Sequence, residues 1–173
     1  MSQPNLSYIP YDDFVADVKA LAVRLLDGDW IPDFVVGIGR GGLVPGAYLS
    51  HRTGISMLSV DHSSKVYGFA DELLAKLARQ TQGGERILFV DDINDSGSTI
   101  VYLREALSAN GGDPANVRVA VLINNVRSRA MVDYWSREID RDVNKDWFVF
   151  PWEAMSGRDT LVEDAGAVPE RLA

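Results

Sequence analysis

Between Tyr11 and Leu26 the apolar residues Phe14, Val18, Leu21, Ala22 and Leu25 recur every three or four positions, so they share one face of a helix. Asp12 and Asp13 favour its N-terminus, and Gly28 can end it. Pro32 breaks the pattern, and the short apolar run Phe34 to Ile38 predicts a buried strand. Leu43 to Arg52 reads as a helix stopped near Gly54, and Ile55 to Val60 as the next strand. Ala70 to Gln80 repeats the helical spacing through Leu73, Leu74 and Leu77, before a turn at Gln82-Gly83-Gly84. Ile87 to Val90 is the most strand-like run of the chain. Thr99 to Ala109 is helical and closes at Asn110-Gly111-Gly112, and Val117 to Ile123 is a strand. Arg127 to Tyr134 fits neither period, and Trp147 to Phe150 is a last short strand stopped by Pro151. Strands alternating with helices predict an α/β fold, a mostly parallel twisted sheet flanked by helices. Ligands of such sheets sit beyond the carboxyl ends of the strands, so functional residues are expected just after Ile38, Val60, Val90 and Ile123.

Composition narrows this picture. The chain has 173 residues, 46% of them hydrophobic, which suits a single domain over 1–173 with a true core. It has no cysteine, which excludes disulfides, thiolate metal sites and a cysteine nucleophile. Its only two histidines, His51 and His62, exclude a His-rich metal site. The net charge of −8 argues against nucleic acid as a partner, yet leaves room for one small basic pocket. The first residues show neither a basic nor an apolar leader segment, and no apolar run approaches the roughly 18 residues of a membrane span. The expected location is the cytoplasm, with no membrane partner.

Two loops carry candidate chemistry. Gly37-Ile38-Gly39-Arg40-Gly41-Gly42 follows a strand, opens a helix and fits G-x-G-x-x-G, with Asp61 some way downstream as a dinucleotide site would want. A tight turn that merely needs glycine fits as well. Arg40 among glycines adds a guanidinium and nearby N–H groups, a combination suited to pyrophosphate. The second loop is more specific: Asp91 and Asp92 end an apolar strand, and Asn94-Asp95-Ser96-Gly97-Ser98-Thr99 leads into a helix. A helix N-terminus with hydroxyls around it cradles a phosphomonoester. The acids beside it suit ribose hydroxyls and Mg²⁺, so a sugar phosphate accounts for the whole loop, against the plain alternative of an Asp- and Ser-rich capping turn.

Val90 to Thr99 resembles the ribose-phosphate signature of type I phosphoribosyltransferases, and Arg40 to Gly46 resembles the pyrophosphate loop of the same family. The stretch Asp146-Trp147-Phe148-Val149-Phe150-Pro151-Trp152-Glu153 is similar to the base-binding hood of the bacterial xanthine-guanine and hypoxanthine branch. The resemblance implies transfer of a phosphoribosyl group from 5-phosphoribosyl 1-pyrophosphate (PRPP) to a nucleobase, in this branch a purine, with Mg²⁺ as cofactor. Asp95, Ser96, Gly97, Ser98 and Thr99 would hold the 5-phosphate, Asp91 and Asp92 the ribose hydroxyls, and Arg40 and Gly41 the pyrophosphate. Asp92 and Glu153 would lie on the metal side. Asp95 would be the general acid/base, Trp147 would stack on the base, and Phe148 would meet it through its backbone. Hood elements are expected from 1–30 and 140–173.

Two departures stand out. The purine branch usually carries a lysine where this chain has Asn125, which can accept as well as donate, so Asn125 is a candidate base contact that opens the choice of base. The family's lid falls in the segment from Asp61 to Gly84, where Lys65 and Tyr67 are candidate contacts. A PRPP-binding regulator without turnover, a transferase for another base, and a dinucleotide-dependent oxidoreductase are the competing readings. The last gives the acidic loop no role. Tyr48 and Tyr102 on helices hint at a homodimer or tetramer face.

Overall fold

The computed structural model describes residues 4–61 and 69–166, with only the backbone of Phe69 and Ala70. The candidate lid residues Lys65 and Tyr67, and His62, lie outside the described residues. Helix α1 (Tyr11–Leu26) buries the apolar face its spacing predicts: Phe14, Val18, Leu21, Ala22 and Leu25 all lie in the core. Strand β2 (Phe34–Ile38) leads directly into α2 (Gly39–Thr53), which ends on the left-handed Gly54. Strand β3 (Ser56–Val60) and helix α3 (Phe69–Gln82) follow. Then come β4 (Ile87–Asn94), α4 (Ser98–Ala109) and β5 (Val117–Asn125).

These strands and β6 (Tyr134–Ile139) form a five-stranded parallel sheet in the order β3-β2-β4-β5-β6. Alternation along the central strands fills two cores. Val35, Leu88, Val90, Ala120 and Leu122 pack with α1 and Leu49 of α2. Val36, Phe89, Val119 and Val121 pack with Leu74 and Leu77 of α3 and Ile100, Leu103 and Leu107 of α4. Both faces of β4 and β5 are therefore covered. That is why their sequences read as continuous apolar runs.

The segment that fitted neither period proves to be a strap. Ala120 pairs with Tyr134 and Asn125 with Ile139, so residues 126–133 must carry the chain back the length of β5. A parallel connection ordinarily takes a dozen or more residues and a helix. This one is too short for a helix and lies along the sheet instead, with Ala130 and Val132 set into the α4-side core. Strand β6 itself was not foreseen, because Tyr-Trp-Ser-Arg-Glu-Ile on a sheet edge is half-buried on both faces and shows little alternation.

A second, two-stranded parallel sheet joins β1 (Leu6–Tyr8) to β7 (Trp147–Val149). A 3₁₀ turn (Pro151–Met155) and helix α5 (Arg158–Gly166) follow β7. Trp152 is a packing residue: its ring stacks on Phe150 at 4.8 Å and meets Phe14 edge-on at 5.3 Å. Tyr48 is 37% exposed with its hydroxyl 3.2 Å from that of Tyr11, and Tyr102 is 36% exposed and donates to Asp71 at 2.9 Å. Among the described residues no helix is long and apolar enough to cross a membrane.

Among the described glycines, an added Cβ would meet its nearest obstacle where α2 lies against β4. A Cβ on Gly42 would fall on the carbonyl oxygen of Val90, whereas one on Gly46 would meet only the end of the Met57 side chain at 3.1 Å. Gly42→Ala is expected to lower stability by about 3 kcal/mol or more, or to prevent folding. Gly46→Ala should stay within about 1 kcal/mol of the native protein, since helix propensity offsets the crowding. Urea unfolding of the two variants measures the difference.

Candidate functional site

The site forms where β2 and β4 run into the helices that follow them. The glycine-rich stretch is not a loop ahead of a helix starting at Leu43. It is the first turn of α2, which begins at Gly39, so Arg40 and Gly41 are helical. Likewise β4 extends past Val90 to Asn94, which puts Asp91 and Asp92 inside the strand. The two elements meet at Gly41, where a Cβ would stand 2.5 Å from Oδ2 of Asp92. Only glycine lets the first turn of a helix rest on that carboxylate.

Helix α4 opens at Gly97, whose φ of 84° is left-handed. A Cβ there would also lie 2.6 Å from Oγ of Ser128 and 2.7 Å from the amide nitrogen of Ala130, on the strap. Gly97 is thus required twice, by its backbone angle and by the strap against it. Neither α2 nor α4 has a side-chain cap at its N-terminus. In α4 the Ser98 N–H donates to Oγ of Ser96 at 3.3 Å, and both helix ends carry the partial positive charge that favours anions.

Two cavities open at these helix ends. One of about 210 Å³ is lined by Gly39, Arg40, Leu43, Ser59, Val60 and Asp61. The other, about 280 Å³, is lined by Asp95, Ser96, Ser98, Asn125, Arg129 and Arg141, among others. The carboxylates expected after Val90 and the polar residue expected after Ile123 do lie at the carboxyl end of the sheet.

The acids between the cavities are in electrostatic conflict. Asp91 and Asp92 are half-buried neighbours, and no salt bridge reaches either among the described residues. Burial, then the Asp92 charge, pushes the Asp91 carboxyl well above the usual range. Burial, then Glu153, pushes Asp92 up to about 7, against the help of the Ile93 N–H donating to its Oδ1 at 2.7 Å. Glu153 is itself raised, chiefly by burial and then by Asp164, while the Phe150 N–H donating at 2.8 Å and nearby Arg40 act the other way. Among the described residues no cluster of three or more acids or histidines could hold an ion unaided.

The loop after β4 is braced by residues that sequence reasoning missed. Asn94 is buried, donates to Asn124 and to the Ala130 carbonyl at 2.8 Å each, and accepts from Ser128. Arg129 donates to Oγ of Ser98 at 2.8 Å, and Ser96 and Ser98 bond to each other at 2.8 Å. Arg127 pairs with Asp140 and Asp142, each at 3.1 Å. The signal for Arg127 and Arg129 was present: two arginines directly follow a buried strand, where ligand groups of such sheets collect. Arg141 had no local signal. It is 5% exposed and grips both oxygens of Asp95, at 2.9 and 2.8 Å.

Asn125, expected to face a base, is 6% exposed and serves the loops instead. Its Nδ2 donates to the Asp95 carbonyl at 3.0 Å, and its Oδ1 accepts from the backbone of Arg127 at 3.1 Å and Arg141 at 3.2 Å. Trp147 and Phe148 lie half-buried on β7, with the Arg141 guanidinium 5.3 Å from the Phe148 ring centre. Thr99 sits in the first turn of α4.

The five-stranded parallel sheet thus brings the first turns of α2 and α4 and the acid pair of β4 to its carboxyl edge, the layout of an α/β domain. The family model for the phosphoribosyl transferase domain matches residues 10–155, and the chain belongs to that family. Solved structures of similar fold include a purine phosphoribosyltransferase from Pyrococcus horikoshii Ot3, with TM-score 0.63 and 23% identity over 88% of this chain and 97% of that one. The xanthine-guanine-hypoxanthine phosphoribosyltransferase of Helicobacter pylori aligns with TM-score 0.63 and 18% identity over 87% and 95%. A protein from Neisseria gonorrhoeae with bound ppGpp aligns over 100% of both chains, with TM-score 0.68 and 21% identity.

The raised carboxyls make stability depend on pH. A carboxyl with a raised folded value binds its proton more tightly when folded, so its contribution is favourable at low pH and is lost as pH climbs from about 4 to about 7. Asp92→Asn removes the charge and keeps an oxygen for the Ile93 N–H. The variant is expected to gain about 1–2 kcal/mol at pH 8, a few degrees in Tm, and almost nothing at pH 5. Thermal unfolding at the two pH values checks it, and equal gains at both would show that Asp92 ionises normally.

Proposed function

We propose that this chain transfers the 5-phosphoribosyl group of PRPP to a nucleobase, a 6-oxopurine such as guanine, xanthine or hypoxanthine, and releases pyrophosphate. The observation that carries the proposal is the acid pair Asp91-Asp92 lying between the uncapped first turns of α2 and α4, in a chain of this family. PRPP has a matching layout: two anionic ends joined by a ribose with two free hydroxyls. On this reading α4 and Ser96, Ser98 and Thr99 bind the 5-phosphate, with Arg129 next to Ser98. Asp91 and Asp92 accept from the ribose hydroxyls. Arg40 and the Gly41 N–H bind the pyrophosphate.

In the reaction the bond from C1 to the pyrophosphate oxygen breaks, a bond from C1 to a base nitrogen forms, and the proton of that nitrogen is released with the products to bulk solvent. Positive charge develops on the ribose, where the half-buried acid pair favours it. The protein's part is to hold the base in line with C1 and to keep water out, with Trp147 and Phe148 beside the base. Asp92 and Glu153 would hold Mg²⁺ on the pyrophosphate side; the ion, when bound, supplies charge neutralisation for the leaving group. Substrate phosphates and water would complete its shell.

One comparison favours a second reading. The full-length fold match to a protein that holds ppGpp, which like PRPP presents pyrophosphate on a ribose, supports a regulator that binds such a ligand without turnover.

Incubation with PRPP, Mg²⁺ and a panel of nucleobases, with mass spectrometry of the products, separates the two. The expected result is a purine nucleoside monophosphate and pyrophosphate. Product with a different base would keep the chemistry and change the specificity. PRPP binding without product would favour the regulator, and no binding would overturn both. Arg40→Ala is expected to cost at least a hundredfold in kcat/KM, about 2.7 kcal/mol. Chelation of Mg²⁺ should abolish PRPP binding to a chain of net charge −8, which calorimetry with and without EDTA would test.

A further inference from the structure

The mouth of the site is closed by a polar network that spans three neighbouring strands. Asp95 follows β4, Asn125 ends β5 and Arg141 follows β6. Asn125 ties the Asp95 carbonyl to the backbone of Arg141. Arg141 then takes both carboxylate oxygens of Asp95 with Nε and Nη2. Its Nη1 donates to the carbonyls of Asn144 at 3.2 Å and Asp146 at 2.7 Å, and its plane faces Phe148. The next link runs to the small sheet: Asp146 accepts from Asn5, and the Trp147 N–H donates to the Asn5 carbonyl, each at 2.8 Å.

We infer that Arg141 is a positioning residue that anchors the Asp95 carboxylate and docks the loop leading into β7 against the ends of β4 and β5. Four of the five N–H donors of its guanidinium are engaged, two by Asp95 and two by the loop that leads into β7. Asp95 is then an anchor and not the group that takes the proton from the base. A neutral Asp95 would leave a guanidinium that is 5% exposed without its counter-charge, the costly case for a buried pair. This rests on the transferase reading for its consequence in catalysis, but the docking itself does not.

The test compares Asp95→Asn, Arg141→Gln and the double variant. Asp95→Asn leaves the buried Arg141 charge unmatched, Arg141→Gln leaves the partly exposed Asp95 charge unmatched, and the double change leaves neither. The double variant is therefore expected to turn over at least tenfold faster than either single variant in the PRPP and purine assay, with the native pH profile of kcat. Hydrogen exchange of the amides from 141 to 149 should rise at least tenfold in Arg141→Gln and fall back in the double variant, while α3 and α4 stay unchanged. Two results overturn the inference. One is a double variant no better than Asp95→Asn while Arg141→Gln keeps native turnover, which makes Asp95 the proton carrier. The other is unchanged exchange of 141–149 in Arg141→Gln. If the native protein neither binds Mg²⁺-PRPP nor forms product, the transferase reading fails, and the exchange experiment still decides the docking.

Discussion

The first turn of α2 rests on the end of β4, and the rest of the site depends on that contact. With hydrogen in place of side chains at Gly41 and Gly42, backbone comes within reach of the Val90 carbonyl and the Asp92 carboxylate. Any Cβ would push the helix away and separate its N–H groups from the acids. Two helix ends and an acid pair then share one crevice at the carboxyl edge of a parallel sheet. Gly41 and Gly42 supply room, which is a different service from the left-handed angles of Gly39 and Gly97.

The same contact concentrates negative charge. Asp91, Asp92 and Glu153 are raised by burial and by one another or by Asp164, in a chain already at −8. A protein selected for stability alone would replace one of them. Under the proposed function the crevice benefits from keeping them, because a metal-bound pyrophosphate would supply the missing positive charge. The helix ends and Arg40 keep the crevice accessible to anions despite the acidic surface.

The strap 126–133 gives the second cavity its walls. Being too short for a helix, it stays close to the sheet edge, where Ser128 and Ala130 press on Gly97 and Arg129 reaches Ser98. Asn125 at its start and Arg141 beyond β6 then join the strand ends with hydrogen bonds that involve both side chain and backbone. Asn125 thus has a framework role, its amide engaged with the backbone of three loop residues.

The principal helices and central strands were legible in the sequence because each buries a face set by local periodicity. Helix α1 and strand β2 match their expected bounds, and the acidic and glycine-rich loops stood out because their residue types have few uses after a buried strand. Other features have causes that no local window contains. Strand β1 is three residues long and exists because β7 pairs with it from the far end of the chain. Strand β6 is held at the sheet edge by register with β5, and the strap follows from that register. The approach of Glu153 to Asp92, and the grip of Arg141 on Asp95, join residues distant in sequence. Periodicity and residue type determine which segments are buried and which loops can bind anions. Only packing in three dimensions decides which charges become neighbours, because electrostatic energy depends on separation and burial and not on order along the chain.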